Sequence, residues 1–294
     1  MIPSTVGFLM SMGAHMKIFF ILAFFGIKSL SAADFHSPRS VALGGAGHAG
    51  PLLNDSLYLN PTFASFYPVV GLATNYLWFN GEDNQSGRLY NLSVQDGRTP
   101  LFQAGVGYTV REDGALLHLG ASKKIVQQLG VGISGKIFFP PQGDQEDAFD
   151  LVFSMLGVPQ HWVQIGFVID NLIESETSRA RGLLREYILG TKFNLVNILL
   201  LYVDPHFIPH APSGKTFGYE MGIEIAPFSD LFLRMGAFKN SKVPHLGVYG
   251  RGFGWGIGWV APKISIEYGM SRVLGTFNGL PTSTAHTFGG TLYF

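Results

Sequence analysis

The stretch from Thr216 to Phe228 constrains the fold more than any other part of the chain. It reads TFGYEMGIEIAPF, and apolar side chains alternate with glycine and charged ones at every second residue. A period of two indicates a β-strand, because successive strand side chains point to opposite faces. The apolar face, which begins with Phe217, Tyr219 and Met221, is too aromatic for a small water-soluble sheet. Such a strand is typical of an outer-membrane β-barrel.

The same alternation recurs along the chain and predicts an all-β, transmembrane antiparallel barrel of about fourteen strands. One segment changes the parity of its apolar residues near Gly250–Gly252, where a bulge keeps the number at fourteen and a turn would change it. The predicted strands are Val69–Phe79, Arg88–Gln95, Leu101–Arg111, Ala115–Lys123, Leu129–Phe139, Asp147–Leu156, Trp162–Leu172, Arg185–Leu195, Ile198–Ile208, Thr216–Phe228, Leu231–Lys239, His245–Val260, Lys263–Arg272 and Ser283–Phe294.

Composition narrows the class of protein further. Past the N-terminus, no uncharged apolar run reaches the roughly 18 residues that a spanning helix needs. The 38 glycines and the 14% aromatic content fit strands that bend into a barrel with rings at the lipid interfaces. The formal net charge is zero, so nothing indicates a nucleic-acid partner.

The first 33 residues are predicted to be a signal peptide. Lys17 precedes an apolar run, and Ser31-Ala32-Ala33 has the small residues of a cleavage site. Met16 is a candidate for the true start. An N-terminal membrane anchor is the alternative, although the apolar run is short for one. Export to the bacterial outer membrane follows from the first interpretation.

Residues 34–68 have no strand-length alternation. The segment is rich in small residues and turn formers and contains four prolines. We expect either a periplasmic extension or a plug (hatch) that folds into the barrel. The barrel itself is then residues 69–294.

Charged residues in the strand centres fall on the face that carries glycine and polar residues. An Arg or Lys facing lipid at the midplane costs about 2–4 kcal/mol, so we expect these residues to face a lumen. A water-soluble β-sandwich, the alternative, would point its charges outward around a dry interior. The predicted lumen-facing residues are Arg111, Lys136, Lys192, Glu220, Glu224, Arg234, Lys263 and Glu267.

The end of the chain is predicted to be an assembly signal. Phe288, Leu292 and the terminal Phe294 share one face of the last strand. This resembles the signal that the bacterial barrel-assembly machinery recognises, except that Gly290 replaces an apolar residue. The lipid bilayer and that machinery are the partners it implies.

Two regions together resemble the FadL/PorV superfamily of outer-membrane barrels. The N-terminal region has ALGGAG at residues 42–47 and Asn60-Pro61, similar to the family's GGAG…NPA block, with Thr62 in place of alanine. The strand segments 222–224, 233–236 and 266–268 are similar to its C-terminal strands, and 170–172 with 187–190 to its mid-barrel pattern. The residues assigned to the plug motif are Arg39, Gly44, Gly45, Gly47, Asn60 and Pro61.

The resemblance implies fourteen strands around an N-terminal plug, and two possible functions. FadL-like members carry long-chain fatty acids or other hydrophobic small molecules, which leave sideways through the wall. PorV-like members bind secreted proteins as part of a secretion system. The FadL-like function is our leading hypothesis, with Arg111 or Lys136 available to meet a carboxylate. The PorV-like function is the alternative, and a structural or general-porin role is the third.

No catalytic site, cofactor or metal is predicted. The glycines at 45, 47 and 50 match a dinucleotide-binding string but lack its strand and helix. His206 and His210 lie in a proline-bearing segment that is interpreted as a loop without a convincing third ligand. Glu220 and Glu224 are about 13 Å apart along one strand, too far for a glycosidase pair. Pairing with Arg234, Lys263 or Arg39 is the better interpretation of both glutamates.

Overall fold

The computed structural model describes residues 35–82, 86–141, 146–196, 198–243, 245–277, 279 and 282–294. The predicted signal peptide, its cleavage site and the Met16 start lie outside these residues. In the part of the chain that is described, no helix has the length and apolar character needed to cross a membrane.

Fourteen antiparallel strands form a closed barrel, which confirms the predicted fold class and strand number. Each strand pairs with its neighbours in sequence, and β1 pairs with β14 to close the wall, Gly71 lying opposite Tyr293. The strands are β1 (Val70–Gly81), β2 (Ser86–Asp96), β3 (Gln103–Arg111), β4 (Gly114–Val126), β5 (Leu129–Phe139), β6 (Ala148–Gln160), β7 (Val163–Asp170), β8 (Glu186–Leu195), β9 (Leu199–Phe207), β10 (Phe217–Phe228), β11 (Leu231–Val243), β12 (Val248–Ala261), β13 (Ile264–Thr276) and β14 (Ser283–Tyr293).

The two faces of the wall follow the sequence alternation. On β10, Met221 and Ile223 are 46% and 44% exposed, whereas Glu220 and Glu224, which flank them, are 2% and 4% exposed. Closure leaves no free strand edge, so the backbone hydrogen bonds of the wall are satisfied within it. The apolar face therefore points outward and the mixed face points inward.

The parity change near Gly250–Gly252 is a bulge, as the fourteen-strand count requires. The pairing of β12 with β13 shifts between Arg251 and Gly252. A second irregularity lies on β11 between Lys239 and Ser241, where Asn240 has a φ of 52°. Since β12 begins at Val248, His245 belongs to the preceding turn rather than to the predicted strand.

The connections differ in length between the two ends of the barrel. One end has two-residue turns at 127–128, 161–162, 229–230 and 262–263, whereas the other has long loops such as 171–185. The prediction that Lys263 faces the lumen is wrong. Pro262 and Lys263 form the tight turn between β12 and β13, and both are exposed at the short-turn end.

Short helices complete the described chain. They are α1 (Pro38–Ala42), α2 (Ser56–Leu59), a 3-10 helix (Pro61–Phe66) and α3 (Glu176–Ala180). The first three belong to residues 35–68, which we call the N-terminal segment, and α3 lies in the long β7–β8 loop. Ser37 caps α1 by accepting a hydrogen bond from the Ser40 N–H, and Pro38 occupies the first turn, where no N–H is needed.

Candidate functional site in the barrel interior

The N-terminal segment contacts inward residues on widely separated strands. Asn54 donates to the Gly71 carbonyl on β1, and the Thr62 hydroxyl lies 2.7 Å from the Ser154 hydroxyl on β6. The Gly47 N–H donates to Asp204 on β9 at 2.8 Å. Because these strands lie at separate positions around a closed barrel, the segment runs through the interior.

Glycines of the wall mark where this segment passes. At many inward glycines an added Cβ would lie within 3.0 Å of a segment atom, a distance that real Cβ atoms do not show. Glycine is used where another backbone approaches closely, so the glycine content predicted for barrel bends also serves packing. These glycines are Gly71, Gly107, Gly120, Gly130, Gly132, Gly166, Gly190, Gly222, Gly236, Gly254, Gly256, Gly269 and Gly289.

The glycines of the predicted plug motif are needed for a second reason. Gly44, Gly45 and Gly47 have φ angles of 68°, 93° and 133°, which side-chain-bearing residues rarely adopt. A Cβ on Gly44 would meet the Ala237 backbone on β11 at 2.8 Å. Residues 44–47 turn sharply against the wall. This turn accounts for the glycines, so a nucleotide-binding loop is not needed to explain them.

Arg39 connects the segment to a buried chain of charges. Its Nε lies 3.1 Å from Glu224 Oε2, and its Nη2 donates to the Tyr202 hydroxyl at 2.6 Å. Arg234 donates to the same Glu224 at 2.5 Å and pairs with Glu267 at 2.8 Å. The predicted pairings of Arg39 and Arg234 with a lumenal glutamate are therefore present, and Lys263 takes no part.

Asn60 and Pro61 shape the second half of the segment. The Asn60 side chain accepts the Thr62 N–H at 3.1 Å and donates to the His48 carbonyl at 2.7 Å. It thereby caps the 3-10 helix and ties it to the preceding turn. Pro61 stands at the first position of that helix, where its missing N–H leaves no donor unpaired.

The cations predicted to receive a carboxylate are already paired. Arg111 Nε lies 2.8 Å from Asp113 Oδ1, and Lys136 donates to Asp170. Lys192 points inward and lies 5.9 Å from the centre of the Tyr202 ring. An acidic cargo would have to displace Asp113 or Asp170 from its partner.

The interpretation of His206 as a loop residue is wrong. It lies on β9 and is 3% exposed inside the barrel, whereas His210 lies in the following turn and contacts Glu174 at 2.7 Å. The inward residues of β9 alternate through Asp204 and His206, and both lie within the predicted strand Ile198–Ile208. His206 groups with His48 and Glu220, whose ligand atoms all lie within 4.8 Å of one another.

Apolar side chains also line the interior, mainly toward the long-loop end. The largest cluster comes from β1, β2, β11, β13 and β14, the turn before β12, and Val41 of the segment. A smaller group on β6–β8 comprises Val152, Val168 and Ile188. The largest cluster contains Val41, Leu77, Phe79, Leu89, Phe238, Val243, Leu246, Val273 and Ala285.

Two small cavities lie between the segment and the wall. One is lined by Leu77, Phe238 and His245, and the other by Tyr58, His206 and Glu220. Each has room for about 20 Å³, which suits a water molecule or an ion. Ligand sites for drug-sized molecules need about 300–1,000 Å³, so neither cavity would hold such a molecule in this arrangement.

Acidification is expected to loosen the turn that holds His245. Burial, with Arg111 and His36 nearby, lowers the pKa of His245 to about 3, and its Nε2 lies 3.1 Å from the Ser283 hydroxyl. The unfolded histidine binds a proton near pH 6.5, so its contribution to stability is present above that pH and is lost as the pH falls toward 3. The loss is about 1.4 kcal/mol per pH unit. Urea unfolding of wild type and His245→Gln between pH 7 and pH 4.5 checks this; equal pH dependence in both proteins would contradict it.

The three residues of the predicted assembly signal lie on the outer face. Phe288, Leu292 and Phe294 are 51%, 43% and 60% exposed. Tyr293, between the last two, points inward and packs with Leu53 of the segment. The geometry fits a lipid-facing C-terminal strand, and recognition by the assembly machinery stays a prediction.

The chain matches no protein-family model and no curated protein. Solved structures do match it in fold. The toluene transporter TodX of Pseudomonas putida has 12% identity over 90% of this chain and 99% of that one, with a TM-score of 0.63. The toluene transporter TbuX of Ralstonia pickettii has 10% identity over 89% and 99%, with a TM-score of 0.62.

The same fold occurs in two further structures. The monoaromatic hydrocarbon channel CymD has 10% identity over 92% of this chain and 99% of that one, with a TM-score of 0.65. A FadL homologue of Pseudomonas aeruginosa has 10% identity over 91% and 99%, with a TM-score of 0.56. The protein therefore shares its barrel fold with these structures, one of which is a FadL homologue, and the fold that the predicted resemblance implies is confirmed.

Proposed function

We propose that the protein is an outer-membrane conduit for uncharged apolar small molecules, closed by its N-terminal segment as a hatch. The observation that carries the proposal is the apolar cluster around Leu77 and Phe238 inside the barrel, beneath the long loops. A hydrophobic cargo bound there would be stabilised by about 25 cal/mol for each Å² of apolar surface that it buries. In bacterial barrels the long loops face outside, so the cluster would meet cargo arriving at the cell surface.

The interior argues against a general porin. Porin lumens are polar and filled with water, whereas this lumen is occupied by residues 35–68 and lined in part by apolar side chains. Passage requires the segment to shift, because the cavities have room for about 20 Å³ each. We therefore expect a nearly silent barrel in conductance measurements.

Neutral hydrocarbons fit the interior better than fatty acids. Arg111 and Lys136, which could have met a carboxylate, are held by Asp113 and Asp170. A fatty acid would have to replace the aspartate at either cation with its own carboxylate, so the exchange would add little binding free energy. The similar structures titled as toluene transporters and as a monoaromatic hydrocarbon channel support this choice of cargo.

The anchoring alternative has no comparable support. The similar structures described above are transporters and channels, and none is titled as a secretion-system component. Their titles also favour a protein without catalytic activity. A secreted-protein partner would need a docking surface that the apolar interior does not supply.

A polar residue in the apolar cluster is expected to reduce hydrocarbon uptake. Replacing Leu77 by glutamine places an amide against the cargo at a cost of about 1–3 kcal/mol, equivalent to about a 5- to 150-fold loss. Uptake of radiolabelled toluene by cells with this protein as their sole hydrocarbon channel measures the change. Leu72→Val, on the lipid face of the same strand, is the matched control. Wild-type uptake by Leu77→Gln at equal expression would contradict the proposal.

A further inference from the structure

We propose that His48, His206 and Glu220 form a zinc site that joins the N-terminal segment to the barrel wall. The three residues come from different elements: His48 from the segment, His206 from β9 and Glu220 from β10. All three are buried, at 6%, 3% and 2% exposed. Two imidazoles and one carboxylate are a donor set that zinc accepts, with a fourth position open to water.

Two of the ligand–ligand distances suit a tetrahedral ion. Glu220 Oε2 lies 3.4 Å from His206 Nε2 and 3.6 Å from His48 Nδ1. Ligand atoms at about 2.0–2.1 Å from a tetrahedral zinc are about 3.3–3.4 Å apart. His206 Nε2 and Glu220 Oε2 are both buried and face each other at 3.4 Å, beyond the roughly 2.7–3.2 Å of a direct N–H···O hydrogen bond. An ion between them would give each atom a direct ligand bond.

Hydrogen bonds from neighbouring groups orient the proposed ligands, as carboxylates do for zinc-bound histidines. Glu186 lies in hydrogen-bond contact with His206 Nδ1, and this leaves the Nε2 lone pair directed at the site. The Ser241 hydroxyl holds the other oxygen of Glu220. Asp204 Oδ2 lies 2.9 Å from His48 Nδ1. A metal ion bound at His48 Nδ1 would require the His48 proton to lie on Nε2. Asp204 would still accept hydrogen bonds from the backbone N–H groups of Gly47 and His48.

The surrounding charge favours a divalent cation. Four buried carboxylates, from Asp170, Glu186, Asp204 and Glu220, are accompanied by Lys136 and Lys242. With neutral imidazoles this group carries a net charge of −2. The adjoining cavity, lined by His48, His206 and Glu220, has room for about 20 Å³, which accommodates the ion's remaining water.

A bound ion would hold the segment in its docked position. His48 belongs to the segment, and the other two ligands belong to the wall, so the metal binds the docked arrangement and stabilises it. This consequence rests on the proposed function, since it makes metal a regulator of passage. Metal binding itself is measured without any cargo, so its failure would leave the conduit proposal untouched.

Cobalt titration of the metal-free, detergent-solubilised protein tests the site. We expect one equivalent of Co²⁺ to bind with the visible absorption of tetrahedral coordination, and Zn²⁺ to displace it. The chain contains no cysteine, so thiolate coordination cannot produce that signal. His206→Ala and His48→Ala are expected to weaken binding by more than about 100-fold, and the positioning variant Glu186→Gln by about 10- to 100-fold.

His210→Ala is the matched control, because His210 lies in the next turn against Glu174, and it should bind as wild type does. Glu220→Gln keeps the side-chain shape and removes one ligand oxygen's charge, so it tests the site if an alanine variant fails to fold. Absence of a tetrahedral cobalt spectrum in the wild type would overturn the proposal. Equal binding by wild type, His48→Ala and His206→Ala would overturn it as well.

Discussion

Replacing Gly236 by valine is expected to drive the N-terminal segment out of the barrel and open an ion-conducting lumen. A Cβ at this position would lie closer than 3.0 Å to the backbone of Leu43 and Gly44. The wall cannot retreat easily, because Gly236 is held in the ladder opposite Gly222 and Gly254. Over-packing against the backbone is expected to cost more than about 3 kcal/mol, which lowers the docked population by more than about 100-fold.

Single-channel conductance in planar bilayers measures the opening. Wild type should be nearly silent and Gly236→Val should show discrete open steps. Gly135→Val is the matched control, since a Cβ there would meet its nearest neighbour, a carbon of the Phe149 ring, at an ordinary 3.5 Å. A silent Gly236→Val variant with an intact barrel would show that the segment does not close the lumen.

Replacing Arg39 by alanine is expected to cost about 3–5 kcal/mol of stability, because it breaks a buried ion pair by removing one partner. Arg39 is 2% exposed and donates hydrogen bonds to Glu224, to the Tyr202 hydroxyl and to the Gly50 carbonyl. After the change Glu224 retains Arg234, while Tyr202 and Gly50 lose a donor. We expect the lost stability to weaken docking of the N-terminal segment more than pairing of the barrel strands.

Urea unfolding and limited proteolysis of the detergent-solubilised protein separate these two effects. Proteolysis should cut the segment of Arg39→Ala faster while leaving the barrel intact. A double-mutant cycle with Glu224→Gln isolates the pair itself. Arg88→Ala, at an exposed strand position, should change stability by less than about 0.5 kcal/mol. If Arg39→Ala also stayed within that limit, the ion-pair chain would not hold the segment.

The period-two pattern was sufficient to predict the wall, because each strand must sort its side chains between lipid and lumen. It placed all fourteen strands and the inward position of Glu224 and Arg234. Strand ends were less accurate: β11 was expected to stop at Lys239 and continues to Val243 across a bulge. Pairing with a neighbouring strand sets such an end, and the segment's own sequence does not record it. Lys263 is a second example: it was expected on a strand facing the lumen, and it lies in the tight turn between β12 and β13.

The contents of the lumen were harder to predict, because its contacts join residues far apart in the chain. Arg39 was expected to pair with a lumenal glutamate on charge alone, and it pairs with Glu224, 185 residues away. The grouping of His48 with His206 has no local pattern, because the two residues lie far apart in the sequence. Only the folded barrel brings such residues together.

Selective uptake by whole cells separates a hydrocarbon conduit from a general pore. Cells that lack other hydrocarbon channels would be compared with and without this protein, using radiolabelled toluene and a polar sugar of similar size. We expect faster toluene uptake and unchanged sugar uptake when the protein is present, since the interior is partly apolar and is occupied by the N-terminal segment. Unchanged toluene uptake at normal outer-membrane levels of the protein, or an equal increase for both solutes, would contradict it.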